Sequence, residues 1–256
     1  MWDRAQLKDT AKYVLRKYYW VAFLVSFVGG LISRIPNTLL QFNNSYMRSI
    51  TSNYRMYGYG ENIDTTAMLS MLTVLLGVSA ILLVITVIWD IFLGGPLETG
   101  IGRYFLEARE DRSDFSNLFY SFKKSRYVNN VKAMGWRYLF IFLWSLLFLI
   151  PGIVKSYAYC MVPYIMVDNP DMDYRRALQL SMAMTFGEKG DIFFLDLSFF
   201  GWYLLGMLAC CIGSVFVNPY FYATRAELYV ALRQKAIERN LCTAEELNQP
   251  LPDASV

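Results

Sequence analysis

The chain has 256 residues, of which 55% are hydrophobic and 18% charged, with a net charge of +3. This balance is more apolar than that of a soluble domain, and so small a basic excess gives no footprint for nucleic acid. Histidine is absent, which excludes imidazole bases, Ser-His and Cys-His nucleophilic pairs and His-ligated metal sites. Cys160, Cys210 and Cys211 lie in apolar runs and Cys242 in a polar one. Without metal spacing they read as small hydrophobes, and no metal or cofactor is expected.

In chain order, the N-terminus interleaves Asp3 and Asp9 with its bases. No small-residue cleavage site follows, so it does not read as a signal peptide. Leu7, Ala11, Val14, Leu15 and Tyr18 share a helical face, while Lys8, Lys12 and Arg16 point away. A first span is expected over 18–33. Residues 34–66, rich in Asn and Tyr, read as an exterior loop whose tyrosines rest at headgroup level, or else as a ligand-contacting cap. The second span, 67–93, carries the clearest signal. Ala67 to Trp89 hold 23 residues without a charge; at roughly 1.5 Å per residue this helix is about 34 Å long, enough to cross an apolar core of about 30 Å.

Phe115, Leu118, Phe119 and Phe122 then recur at helical spacing, followed by Lys123, Lys124 and Arg126. Spans are expected over 138–151 and 152–167. This pair is short for two crossings and holds Lys155, so both helices should extend past their apolar limits; a partly re-entrant pair is the alternative. Tyr174, Ala177, Leu178, Ser181, Met182 and Thr185 form a third amphipathic face beside Arg175 and Arg176. Spans over 192–213 and 214–232 follow as a tight hairpin. Ser113 or Asp114, and Asp171 or Asp173, fit as N-caps. Residues 1–239 read as one six-span domain and 240–256 as a polar cytoplasmic tail, disordered at its end.

Each amphipathic segment precedes an outward span, a break and a return span with proline. The breaks fall at Gly29-Gly30, Pro151-Gly152 and Gly213, and the prolines are Pro96, Pro163 and Pro219. The expected fold is an all-α polytopic membrane protein. Its six transmembrane helices form three hairpins, each preceded by a cytoplasmic interfacial helix. On this topology Arg34, Arg48, Arg55 and Lys155 are exterior, and the other 20 of the 24 basic residues lie on or near the cytoplasmic side. Both termini are therefore expected in the cytoplasm.

Ionisable residues within spans are the candidate binding residues, since each costs about 2.5–3.5 kcal/mol at a helix centre. Asp196, Arg225 and Glu227 fall in the inner third. Arg225 and Glu227 have no opposite charge at i±3 or i±4, so their partners must come from other helices. Asp196 is expected to pair with Arg225. These charges read either as structural clamps or as the lining of a cytoplasm-facing polar cavity, with Glu98 and Arg103 at its rim. Asn218-Pro219 would break the last helix and free carbonyls, or merely kink it. Gly100 and Gly102 read as small-residue packing. There is no Walker A sequence, Gly-x-Ser-x-Gly elbow, HExxH or Cys-x-x-Cys, and the chain is not expected to be an enzyme.

Leu149-Ile150-Pro151-Gly152-Ile153-Val154-Lys155-Ser156-Tyr157, Val162-Pro163-Tyr164 and Asn218-Pro219-Tyr220, with Thr224 and Ala226-Glu227-Leu228-Tyr229, resemble the family called domain of unknown function 975. Ala177-Leu178, Ser181, Met184, Gly187 and Lys189 also look like it, as do Leu197-Ser198-Phe199 and Gly201-Trp202. The resemblance runs from Leu7 to Lys235. It implies a bacterial plasma-membrane protein of six spans, distantly similar to the membrane domain of some glycerophosphodiester phosphodiesterases. It supplies no activity or catalytic residue. Two functions follow as expectations. One is a non-catalytic module engaging membrane lipids, a peptide or a membrane-protein partner, with oligomerisation open; the other is a small transporter or export component.

Overall fold

The computed structural model describes residues 2–57, 65–208 and 213–247, whose regular structure is all helical, with no strand among them. Four helical segments are long and apolar enough to cross a membrane: Arg4–Ser49, Leu69–Ala108, Leu149–Asp168 and Lys189–Met207. The chain divides into two units, Gly30–Gly94 and the remainder.

The Gly30–Gly94 unit is a helical hairpin made from the distal part of α1 (Arg4–Tyr57) and α2 (Thr65–Trp89), followed by a π-helical turn at Asp90–Gly94. The Trp89 indole donates to the Ile32 carbonyl at 3.1 Å, and the Asn43 amide donates to Ser79 Oγ at 2.9 Å. These contacts set the register, placing α1 from Ile32 onward beside α2. The exterior-loop expectation is corrected here, because residues 34–57 continue as helix; residues 58–64 lie outside the described part. Gly29-Gly30 likewise does not break the helix. The π turn immediately precedes Pro96, where a proline without an N–H interrupts the hydrogen-bond ladder.

In the larger unit, Tyr18 (φ −124°, ψ 24°) sets off the first amphipathic helix at a kink in α1. Leu7, Ala11 and Leu15 are buried. The segment follows α8 (Lys189–Leu208) and α9 (Gly213–Glu238). The Trp2 indole donates to Glu188 at 3.0 Å, Lys8 to Ser198 Oγ at 2.5 Å, and the Tyr19 hydroxyl to the Phe216 carbonyl at 3.5 Å. Leu7, Ala11 and Leu15 of its apolar face are thus packed against protein. The second amphipathic segment, Phe115–Phe122, is a 3-10 helix capped by Asp114, whose carboxylate accepts from Ser116 N. The third, α7 (Tyr174–Met184), keeps its α-helical period and is capped by Asp173.

The core surrounds α3 (Gly95–Ala108), which packs against the 3-10 segment, α6 (Val162–Asp168) and α9. Close approach requires glycine here, because a Cβ on Gly100 would stand 2.0 Å from the Leu118 carbonyl oxygen. The Gly100/Gly102 reading as packing thus holds, with Gly102 against the Tyr164 ring. Pro96 lies buried near the start of α3 and Pro163 in the first turn of α6, where its missing N–H costs nothing.

The helix α4 (Lys124–Leu147) begins well before its apolar stretch, and α5 (Leu149–Ala158) follows a single extended residue, Phe148. The turn therefore precedes Pro151-Gly152 by three residues. Pro151 sits in the first turn of α5, where proline is tolerated, and Gly152 lies so close to Ser145 that a Cβ would be 2.8 Å from its Cα. The apolar tip is bare, with Leu146 76% and Ile150 74% exposed. Neither α4 nor α9 is among the four membrane-length apolar segments, since Lys132 and Arg137 enter α4 and Arg225 to Lys235 enter α9. Pro219 lies within α9 without ending it. Residues 209–212, with Cys210 and Cys211, lie outside the described part, as do residues 248–256. Residues 241–247 are not a free tail: Cys242, Ala244 and Leu247 are buried.

Candidate functional site

The larger unit carries a layer of ion pairs in and beside its core. Arg225 Nη2 of α9 donates to Asp196 Oδ2 of α8 at 2.5 Å, the pairing expected from sequence. Both side chains are mostly buried, and Arg225 Nε and Asp196 Oδ1 make no hydrogen bond of ordinary geometry. Glu227, two residues on, faces elsewhere, as a helix dictates. Its carboxylate accepts from Arg109 Nε at 2.9 and 3.0 Å, one bond to each oxygen. Asp168, at the end of α6, accepts from Arg233 Nη1 at 2.9 Å and from the Tyr229 hydroxyl at 2.6 Å. Lys235 pairs with Glu188, and Arg103 with Glu107.

Two cavities adjoin this layer. The first, about 370 Å³, lies between the C-terminal half of α3, the end of α6 and α9. Its lining holds four arginines (Arg103, Arg109, Arg112 and Arg233) together with Glu107, Glu110 and Asp168. The second, about 590 Å³, lies between the N-terminal segment and α9, and is lined by Trp2, Gln6, Glu227, Lys235 and others. Arg109 and Val230 line both.

The expected site residues divide accordingly. Arg103 lines the first cavity and Glu227 the second. Asp196 and Arg225 come together but line neither. Glu98 accepts from Arg137 at 2.7 Å and from the Tyr138 hydroxyl at 3.2 Å, so it is tied to α4 and lines neither cavity. Asn218 accepts from the Tyr203 hydroxyl at 3.1 Å, an α8–α9 clasp. Arg109, Arg112, Asp168 and Arg233 escaped the sequence reading. Asp168 and Arg233 border apolar runs, which was their one available signal, and basic residues there were counted only for orientation.

No curated protein and no solved structure was found to match this chain. Residues 146–236, from the end of α4 to the C-terminal turns of α9, match the family model described as Protein of unknown function (DUF975), which supports the family that the sequence motifs resemble.

Proposed function

We propose that this chain is a non-catalytic integral protein of the bacterial plasma membrane. Six spans in three hairpins carry it, both termini are cytoplasmic, and its inner-leaflet polar cavities engage lipids, a peptide or a membrane partner. The bare apolar turn between α4 and α5 and the exposed apolar surface of α8 support α4–α5 and α8–α9 as membrane hairpins. Phe148 and Leu205 are 69% and 61% exposed, and lipid is the solvent that suits such surface. The distant similarity to the membrane domain of some glycerophosphodiester phosphodiesterases belongs to the same proposal.

The observation that carries the reading is the 370 Å³ cavity, whose wall is charged although it adjoins a buried core. Fixed charge beside an open volume suits a polar ligand better than a clamp, which needs only the pairs. Native mass spectrometry of protein released from lipid nanodiscs is the test. A defined lipid or peptide mass retained on the protein supports the reading, and bare protein in every lipid composition overturns it.

A transporter is the second reading, favoured by one feature of the Gly30–Gly94 unit. Arg34, Asn37, Gln41, Asn44, Ser45 and Arg48 recur at helical spacing on exposed positions of α1, beside the uncharged α2. From Arg34 to Arg48 this stripe spans about 21 Å at 1.5 Å per residue, short of a bilayer core of about 30 Å. The binding reading is therefore preferred.

A further inference from the structure

We propose that the 370 Å³ cavity is a phosphate site, taking a phosphomonoester or diphosphate group in the grip of Arg103, Arg109, Arg112 and Arg233. The inference rests on the binding reading above and names its ligand chemistry.

The four arginines come from three places: Arg103 from α3, Arg109 and Arg112 from the turn after it, and Arg233 from α9. Each carboxylate of the lining already has an arginine partner. Glu107 is held by Arg103, Glu110 by Arg112 and Asp168 by Arg233. The acids therefore act as braces that orient the guanidinium groups, and no unneutralised carboxylate is left to attract a cation. Arg109 is braced from outside the lining, by Glu227. Counted with Glu227, the four arginines are matched by four carboxylates, so the pull on an anion comes from unspent N–H donors rather than from excess charge.

Donor capacity remains after this bracing. A guanidinium carries five N–H donors in a fixed fork. Arg109 spends only Nε on Glu227, and Arg233 only Nη1 on Asp168. Arg103 gives an Nη2 donor to Glu107, and its guanidinium stacks over the Tyr120 ring, which fixes its plane. Guanidinium forks arriving from several directions match the oxygens of a tetrahedral anion, which a planar carboxylate would fill only in part. The volume, about 370 Å³, accommodates a phosphate with a polar substituent.

The group can arrive on a lipid such as phosphatidic acid or on a soluble ester such as glycerol 3-phosphate, and the experiment separates these sources. The full chain is placed in phosphatidylcholine nanodiscs, either with phosphatidic acid added to the bilayer or with glycerol 3-phosphate added to the buffer. Retained ligand is read by native mass spectrometry. Arg112→Gln, on an exposed side chain whose loss leaves the core intact, should weaken retention about 3-fold or more. The paired change Asp168→Asn with Arg233→Gln, which leaves no buried charge unmatched, should weaken it about 10-fold or more. The paired change Asp196→Asn with Arg225→Gln, away from the cavity, should leave it unaltered.

Retention of phosphatidic acid alone assigns a lipid ligand, and retention of glycerol 3-phosphate assigns a soluble one. Equal retention by parent and cavity variants that remain folded overturns the phosphate site. A peptide or neutral lipid retained in place of either probe overturns it too, while leaving the binding reading standing. Bare protein in all conditions overturns both.

Discussion

Asp196 and Arg225 meet across the α8–α9 hairpin at 2.5 Å, with 20% and 13% of their side chains exposed. Both charges are mostly buried, where neither can stand alone cheaply, and their helices are consecutive in the chain. Breaking one partner strands the other. Asp196→Asn or Arg225→Gln alone should each destabilise the protein by about 2–4 kcal/mol, while the double substitution should cost less than their sum by about 1–3 kcal/mol. A double-mutant cycle on detergent-solubilised protein, followed by reversible denaturant unfolding, measures the difference. Additive costs would show that the contact carries no coupling.

Two glycines should respond in opposite directions. A Cβ on Gly100 would lie 2.0 Å from the Leu118 carbonyl oxygen and 3.0 Å from Leu118 Cα. The neighbour there is backbone, so Gly100→Ala must push α3 and the 3-10 segment apart, at a cost of about 1–3 kcal/mol or more. Around Gly30, in the interior of α1, nothing lies within 4 Å of the added atom. Gly30→Ala should stabilise the helix by about 0.5–1 kcal/mol through backbone entropy. Thermal unfolding of the two variants beside the parent gives both signs.

These cases show what a single sequence carries. Pairing of Asp196 with Arg225 was legible because an isolated charge in an apolar run must find a partner, and only a few residues qualify. Asp114 and Asp173 were legible as caps because capping is local chemistry. The long extension of α1 was not. Its Arg, Asn and Gln lie on one stripe, and a helix that is half polar in composition looks like a loop until its period is read against a neighbour such as α2. The turn at Phe148 was misplaced because Pro151 and Gly152 signal a break, whereas they serve here in a first turn and a close crossing. The arginine cavity needs α3, α6 and α9 brought together, and no spacing in the chain announces that.

The segment after α9 is strapped down by Glu246. Its carboxylate accepts from Arg176 Nε at 2.7 Å and Nη2 at 3.0 Å, and its carbonyl accepts from the Asn169 amide at 2.9 Å. The Arg176 hydrogen bonds hold the Glu246 carboxyl below its ordinary value of 4.5, while burial raises the Cys242 thiol beneath the strap. Because the folded value is depressed, the contribution is present above pH 4.5 and is lost as pH falls through the folded value. Hydrogen exchange of residues 241–247 should therefore show protection at neutral pH that weakens below pH 4.5, beyond the intrinsic pH trend. At neutral pH, Glu246→Gln should speed maleimide labelling of Cys242 about 3-fold to 10-fold, as expected for a partly exposed bidentate pair. An unchanged labelling rate would mean the apolar contacts of Leu247 hold the strap without the ion pair.

The register of the Gly30–Gly94 hairpin is open to a direct chemical check. Asn43 of α1 donates to Ser79 of α2 at 2.9 Å, and Ile32 accepts from Trp89 at 3.1 Å. Were residues 34–66 a loop beyond a span ending near residue 33, position 43 would lie past the end of α2 rather than beside its middle. In a background with the native cysteines replaced by serine, Asn43→Cys with Ser79→Cys should form a cross-link with a short bis-thiol reagent. Asn43→Cys with Ile88→Cys should not, since nine residues of helix displace the second site by about 13 Å. Cross-linking at Ile88 in preference to Ser79 would shift the two helices by more than two turns. Asn43 would then lose its partner on α2, and the polar stripe from Arg34 to Arg48 would face a different depth of the same uncharged helix.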